Sequence, residues 1–260
     1  MLNQEIINFA NHLADLSGEV IRKYFRQDLG EIKKDDHSPV TLADQETETV
    51  IRSAITQKFP DHGVVGEEFG SINPNAQYQW VIDPIDGTVS FVMGRPIFGT
   101  LISLCFEGKP ILGIIDQPIN GERWLGYFGC QATLNGKKIK TRNCADLSEA
   151  ILCTTSPFFF QGKDLEMLGK ISAQTKYQSH GGIIYGGDCY LFGLLAMGQI
   201  DIVIERGLKN FDFMALVSIV KSAGGVITDW AGKELDINSD GTILACGDKN
   251  LHQKILGMIS

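Results

Sequence analysis

The sequence predicts a mixed α+β chain whose two halves differ in character. Three observations carry this: apolar residues at helical spacing up to Phe59, turn signals between apolar runs from 97 to 140, and strands alternating with helices after Asn143.

Ile6, Phe9, Ala10, Leu13, Leu16, Val20 and Tyr24 share one helical face, so the first helix runs from about Leu2 to Phe25. A polar stretch follows from Gln27 to Pro39. The second helix starts near Thr41, with Thr47, Val50, Ile51, Ala54, Ile55 and Phe59 on one face. Asp44, Glu46 and Glu48 occupy its early turns, where the helix dipole favours acids. Glu107-Gly108, Asn120-Gly121 and Asn135-Gly136 lie between apolar runs, so residues 97–140 read as an antiparallel meander packed on the two helices. Beyond Asn143, Ala150–Thr155 reads as a strand and Lys163–Ser172 as a helix. Asp188–Met197 is helical, Ile200–Glu205 a strand and Phe211–Ala223 a helix. Gly225–Thr228 and Thr242–Cys246 are short strands, and Leu251–Ile259 closes the chain as a helix. The change of pattern near 143–149 divides the chain into an α+β subdomain (1–145) and an α/β subdomain (146–260).

Composition narrows the functional classes. The chain has 260 residues, 43% apolar, with 29 glycines and eight prolines in no G-x-y period, which excludes disorder and collagen-like structure. The net charge of −8 argues against nucleic-acid partners and against an anionic membrane surface. No apolar run reaches the ~20 residues of a membrane span. None of the six cysteines forms a C-x-x-C pair, and most lie in apolar runs. With no basic-then-apolar leader at the N-terminus, a reducing cytoplasm is the expected location. The five histidines show no metal-ligand spacing.

The chemistry concentrates in W-V-I-D-P-I-D-G-T at 80–88. An apolar strand ends in Asp83 and Asp86, with Pro84 fixing one backbone angle and Gly87 permitting a tight turn. Two carboxylates held there can share hard divalent cations, and the Ile85 carbonyl can add a neutral oxygen. A solvated turn would use the same residue types. Glu67 and Glu68 follow apolar Val64-Val65 at another strand end, where an ordinary charged loop is the alternative. Asp212 stands where an apolar helix starts, as a first-turn acid also would.

Together, G-E-E at 66–68, the 80–88 segment and the acidic helix start at Asp212 resemble the inositol monophosphatase family of Mg²⁺-dependent, lithium-sensitive phosphatases. S-P-V-T-x-A-D-Q at 38–45 and A-G-G at 223–225 extend the resemblance over nearly the whole chain. G-R-P-x-F-G-T-L-I at 94–102, I-D-Q-P-x-x-G-E-R-W at 115–124, G-G-D-C-Y at 186–190, G-L-K-x-x-D-F at 207–213 and I-T-D-W at 227–230 are similar to its histidinol-phosphate phosphatase branch.

The resemblance implies a layered α-β-α-β-α sandwich, a homodimer, and a small phosphorylated substrate. It assigns Glu67, Asp83 and the Ile85 carbonyl to a first Mg²⁺, and Asp83, Asp86 and Asp212 to a second. A third, weaker metal would touch Glu67. Mn²⁺ is an alternative metal and Li⁺ an expected inhibitor. Asp44 and Thr88 would act on the attacking water, although Thr41-x-x-Asp44 is also a capping box. Five carboxylates near a phosphate dianion demand cations, since like charges at ~4 Å repel by several kcal/mol. Gly87 and Thr88 would offer backbone N–H groups to the phosphate.

Gly187, Asp188 and Glu205 would face the organic part of the substrate, with Asp188 also readable as a helix cap. An amine on the substrate would pair with these acids. The sequence departs from the expected pattern at Ile184 and Val89, where basic residues were anticipated. The expected activity is hydrolysis of L-histidinol phosphate to L-histidinol in histidine biosynthesis. Alternatives are inositol or sugar monophosphate hydrolysis and, in another class, a non-catalytic metabolite-binding relative.

Overall fold

The computed structural model describes residues 2–27, 32–33, 39–40 and 42–259. Most of the polar stretch between Gln27 and Pro39, with Ser38 and the Thr41 end of the capping box, lies outside the described residues.

Helix α1 (Gln4–Tyr24) is started by Asn3, whose side-chain oxygen accepts from the N–H groups of Glu5 at 2.5 Å and Ile6 at 3.2 Å. A two-residue antiparallel pair, β1 (Ile32–Lys33) and β2 (Pro39–Val40), precedes α2 (Leu42–Lys58). There follow β3 (Gly63–Gly66), β4 (Gly70–Ile72), β5 (Tyr78–Asp86), the short α3 (Thr88–Val92), β6 (Gly99–Phe106), β7 (Lys109–Gln117), β8 (Glu122–Tyr127), β9 (Thr133–Leu134) and β10 (Lys137–Lys138). These strands form one sheet in the order β10-β9-β8-β7-β6-β5-β3-β4, antiparallel except between β3 and β5. The expected meander is present. At its Asn135-Gly136 turn both residues have positive φ, 49° and 75°, the conformation that twists with a hairpin.

The second half comprises β11 (Leu152–Thr154), α4 (Lys163–Ser172), β12 (Ile184–Tyr185), α5 (Asp188–Ala196), β13 (Ile202–Glu205), α6 (Asn210–Ser222), β14 (Val226–Thr228), β15 (Ile243–Cys246) and α7 (Lys249–Ile259). Its sheet runs β12-β11-β13-β15-β14, parallel around β11 and antiparallel around β15. The expected boundaries hold within about two residues, the normal spread of helix and strand ends. The β3–β4 hairpin and β12 were not expected in full. Two or three residues are too few to show a periodicity.

Side-chain alternation along the strands builds the layers. Trp80, Ile82, Ile102, Leu104, Leu112 and Ile114 pack on α1 and α2. Val81, Leu101, Ile115 and Trp124 face the other way, onto α5 and α6. The opposite side of α5 and α6 meets Cys153, Val203, Ile243 and Ala245 of the second sheet. Leu152, Ile202, Ile204 and Leu244 turn outward onto α4 and α7. The result is the α-β-α-β-α sandwich that the resemblance implied.

The tightest layer contact lies where α6 crosses β7 and β8. A Cβ on Gly113 would stand 2.0 Å from the Ala215 carbonyl oxygen, and one on Gly126 2.5 Å from the Ile219 Cα. Both obstacles are backbone, so neither can swing aside. Gly113→Val is therefore expected to cost more than about 3 kcal/mol through overpacking, read as a lowered urea midpoint. A change within about 0.5 kcal/mol, the range of ordinary surface substitutions, would show that the helix is free to lift.

Candidate active site and metal centre

Three strand ends and three helix starts meet around a cavity of about 480 Å³. Its wall includes Glu67, Asp83, Ile85, Asp86, Gly87, Thr88, Asp188, Glu205 and Asp212. These residues span both halves of the chain.

Glu67 sits in the turn between β3 and β4. Glu48 on α2 fixes that turn: its carboxylate accepts from the N–H groups of Glu68 at 2.7 Å and Phe69 at 3.2 Å, and pairs with Arg52 at 2.5 Å. Gly66 allows this approach, since a Cβ there would lie 2.1 Å from Glu48 Oε1.

Asp83 and Asp86 end β5. Their pairing with β6 shifts register, Asp83 lying opposite Leu101 but Asp86 opposite Gly99. Pro84 occupies the bulge, where no amide hydrogen is needed. The Thr100 hydroxyl donates to the Pro84 carbonyl at 2.8 Å and the Ile85 N–H to Asp83 Oδ1 at 3.0 Å, which fix the turn. Asp212 is in the first turn of α6 and accepts from the Lys209 N–H at 2.6 Å. It thus caps the helix and also joins the cluster.

Carboxylate oxygens of Asp83, Asp86 and Asp212 all lie within 4.8 Å of one another. Burial pushes all three carboxyls up, Asp212 to about 7 and the other two well above the ordinary range. Neighbouring acids add to this: Asp86, Glu67, Asp212 and Asp44 act on Asp83, and Asp188 and Asp212 on Asp86. A hard divalent cation with oxygen ligands relieves both burial and repulsion, so the residues present fit Mg²⁺.

Asp44, in the first turn of α2, is buried and does not line the cavity, but its charge reaches Asp83. The Thr88 hydroxyl donates to the Ile85 carbonyl at 3.1 Å. Gly187 precedes α5 and lies outside the cavity wall.

Asp188 does not cap its helix. The carboxylate of Asp86 takes that role, accepting from the Cys189 N–H at 2.6 Å and tying β5 to α5. Asp188 has φ +45° and accepts from the Ser90 hydroxyl at 3.0 Å. A Cβ on Gly87 would come 2.8 Å from its carboxylate. Burial pushes the Asp188 carboxyl up, while Ser90 and the charge of Arg95 pull it down. Glu205, at the end of β13, accepts from the Thr155 N–H at 2.6 Å and the Thr154 hydroxyl at 3.3 Å. Burial raises its carboxyl to about 7.

Thr155, Phe158, Phe159, Gln161 and Cys189 also line the cavity and were not anticipated. The run Phe158-Phe159-Phe160 just after a strand was the available signal. The Cys189 thiol is fully buried and pushed well above its ordinary range, which removes it as a nucleophile.

A layered scaffold with carboxylates from both halves around one small cavity fits enzymes that handle anionic substrates through hard cations. The model of the inositol monophosphatase family matches residues 2–260. The chain belongs to that family of metal-dependent phosphatases, which act on small phosphorylated substrates. It is 48% identical over 255 residues to the chloroplastic bifunctional phosphatase IMPL2 of Arabidopsis thaliana, covering 95% of this chain and 72% of that protein. It is 33% identical to the histidinol-phosphatase of Chlorobaculum parvum, covering 92% and 91% of the two chains. The inositol monophosphatase structure from Zymomonas mobilis superposes with a TM-score of 0.89 at 43% identity, over 98% of each chain. No helix among the described residues is long and apolar enough to cross a membrane.

Proposed function

We propose that the protein is a Mg²⁺-dependent phosphate monoester hydrolase that converts L-histidinol phosphate to L-histidinol. The observation that carries the substrate is the division of acids in the cavity. Asp83, Asp86 and Asp212 bring their oxygens within 4.8 Å of one another, while Glu205, and Asp188 whose charge still reaches Asp86, line the cavity outside that group and suit an ammonium group. The relative named histidinol-phosphatase supports the same reading.

Glu67, Asp83, Asp86, Asp212 and the Ile85 carbonyl would hold the Mg²⁺ ions. When bound, Mg²⁺ supplies charge compensation for the phosphate and acidifies water. Thr88 Oγ1 already directs its proton to the Ile85 carbonyl, which leaves its lone pairs to accept from an attacking water. Buried Asp44 lies outside the cavity wall, but its charge reaches Asp83 and would act on that water from behind the wall. Gly87 keeps the turn before Thr88 free of a side chain, so phosphate oxygens can approach the backbone.

Phosphate release from L-histidinol phosphate and inositol 1-phosphate, each with and without Mg²⁺, tests the reading. Preference for the histidinol ester by at least about tenfold is expected, with activity lost on chelation, from pairing of the ammonium with buried acids. Preference for the inositol ester, or equal rates, would overturn the substrate assignment. No release from either would point to a non-catalytic relative.

A further inference from the structure

Part of the cavity wall is aromatic. Three phenylalanines follow β11 in a row, and they divide their work. Phe160 is buried and stacks on Trp230 at 5.9 Å between ring centroids. Phe158 and Phe159 are 87% and 49% exposed, and both line the cavity.

Local chemistry holds them there. Ser156 caps the single 3₁₀ turn Pro157–Phe159, its hydroxyl oxygen accepting from the Phe158 N–H at 3.2 Å. Pro157 presets the backbone angle at the first position of that turn. With Phe160 anchored behind it, the turn fixes the backbone that carries the two rings. Their exposure costs free energy in the absence of a ligand, and a flat apolar group laid against them would recover it.

Glu205 lines the same cavity. The Thr155 N–H that it accepts belongs to the residue just before Ser156, so the carboxylate and the aromatic turn are joined through one short segment. Besides burial, the groups that act on this carboxyl are Thr154, Thr155 and Asp188, none of them cationic. The adjacent Arg206 is engaged in an ion pair with Asp164. A buried acid facing a cavity beside two open rings matches a ligand that is flat in one part and positively charged in another.

We propose that Phe158 and Phe159, together with the Glu205 carboxylate that lines the same cavity, are the specificity residues that select phosphate monoesters whose alcohol carries both a planar ring and an ammonium group. The assignment rests on the monoester-hydrolase reading above and gives it a structural basis. A polyol ester is neither planar nor cationic, and its ring hydroxyls lose hydration when pressed against the two aromatic faces.

Three monoesters separate the contributions: L-histidinol phosphate (ring and ammonium), phosphoethanolamine (ammonium alone) and glycerol 2-phosphate (neither). Replacing both rings, Phe158→Ala with Phe159→Ala, is expected to lower kcat/KM for the ring ester relative to phosphoethanolamine by about tenfold, mostly through KM. Glu205→Gln should lower both ammonium esters relative to glycerol 2-phosphate by a similar factor. The Phe→Tyr pair, which retains both ring faces, should restore the ratio. The Phe→Leu pair, which retains apolar bulk, should not, and it decides the matter if the alanine variant fails to fold. Unchanged ratios in the leucine pair, or an equal loss on all three esters, would overturn the assignment, as would a change in oligomeric state without a change in ratio. If the wild-type enzyme releases phosphate from none of the three, the monoester reading falls as well. If it hydrolyses all three while the ratios stay fixed, only the aromatic assignment falls.

Discussion

Asp83→Asn is expected to lower kcat/KM with Mg²⁺ by about a thousandfold or more while leaving the metal-free protein at least as stable as the wild type. The two effects share one cause. Asp83 is buried, and its carboxyl is pushed well up by burial and by the charges of Asp86, Glu67, Asp212 and Asp44. Asparagine keeps the shape and the oxygen that accepts from the Ile85 N–H, but removes the charge. Metal affinity falls because a neutral amide is a poor ligand beside two carboxylates. The remaining acids repel one another less, so the apo fold loses strain. Phosphate release measures the first effect, and thermal melts in EDTA with and without added Mg²⁺ measure the second. Normal turnover in the variant would remove Asp83 from the metal site. A strongly lowered melting temperature in EDTA would show that the carboxylate is held for structural reasons.

How much of this was legible in the sequence depends on how local each signal is. Asp83-Pro84-Ile85-Asp86-Gly87 could be read as a candidate site because proline, glycine and paired acids restrict the backbone within five residues. The Asn135-Gly136 turn was legible for the same reason, since few other pairs accept positive φ twice. Asp212 could be linked to them only through the resemblance, for nothing near it in the sequence points to residue 83. What remained hidden depends on pairs distant along the chain. Glu48 and Arg52 resemble an exposed i,i+4 ion pair, yet they are buried and hold the turn that carries Glu67. Asp188 reads as a helix cap, but its hydroxyl partner is Ser90 and the cap comes from Asp86. Gly113 and Gly126 read as ordinary strand glycines until α6 is laid across them. In each case the missing fact is a tertiary contact, which no window of sequence contains.

The same carboxylates make stability depend jointly on pH and metal. A folded-state value raised above the unfolded one means that the native protein binds protons more tightly than the unfolded chain. Stability from such groups is complete below the unfolded value of about 3.9 and is lost as pH rises through the folded value. For Asp212 that window runs up to about 7, and Asp83 and Asp86 shift in the same direction. The metal-free protein should therefore lose stability between pH 5.5 and 8 through this cluster. His62 and His252 act in the opposite sense, because burial lowers their values and favours the neutral ring at higher pH. Their contribution cancels when melts with and without Mg²⁺ are compared at one pH. Mg²⁺ competes with protons for the clustered oxygens and can bind at full strength only once they are released. The rise in Tm caused by Mg²⁺ is accordingly expected to be at least about 5 °C larger at pH 8 than at pH 5.5, where each kcal/mol is worth about 2–4 °C in a chain of this size. An equal rise at both values would mean that the metal binds away from the raised carboxyls. Asp83→Asn should abolish most of the difference, which ties the proton-linked stability to the residues that hold the metal.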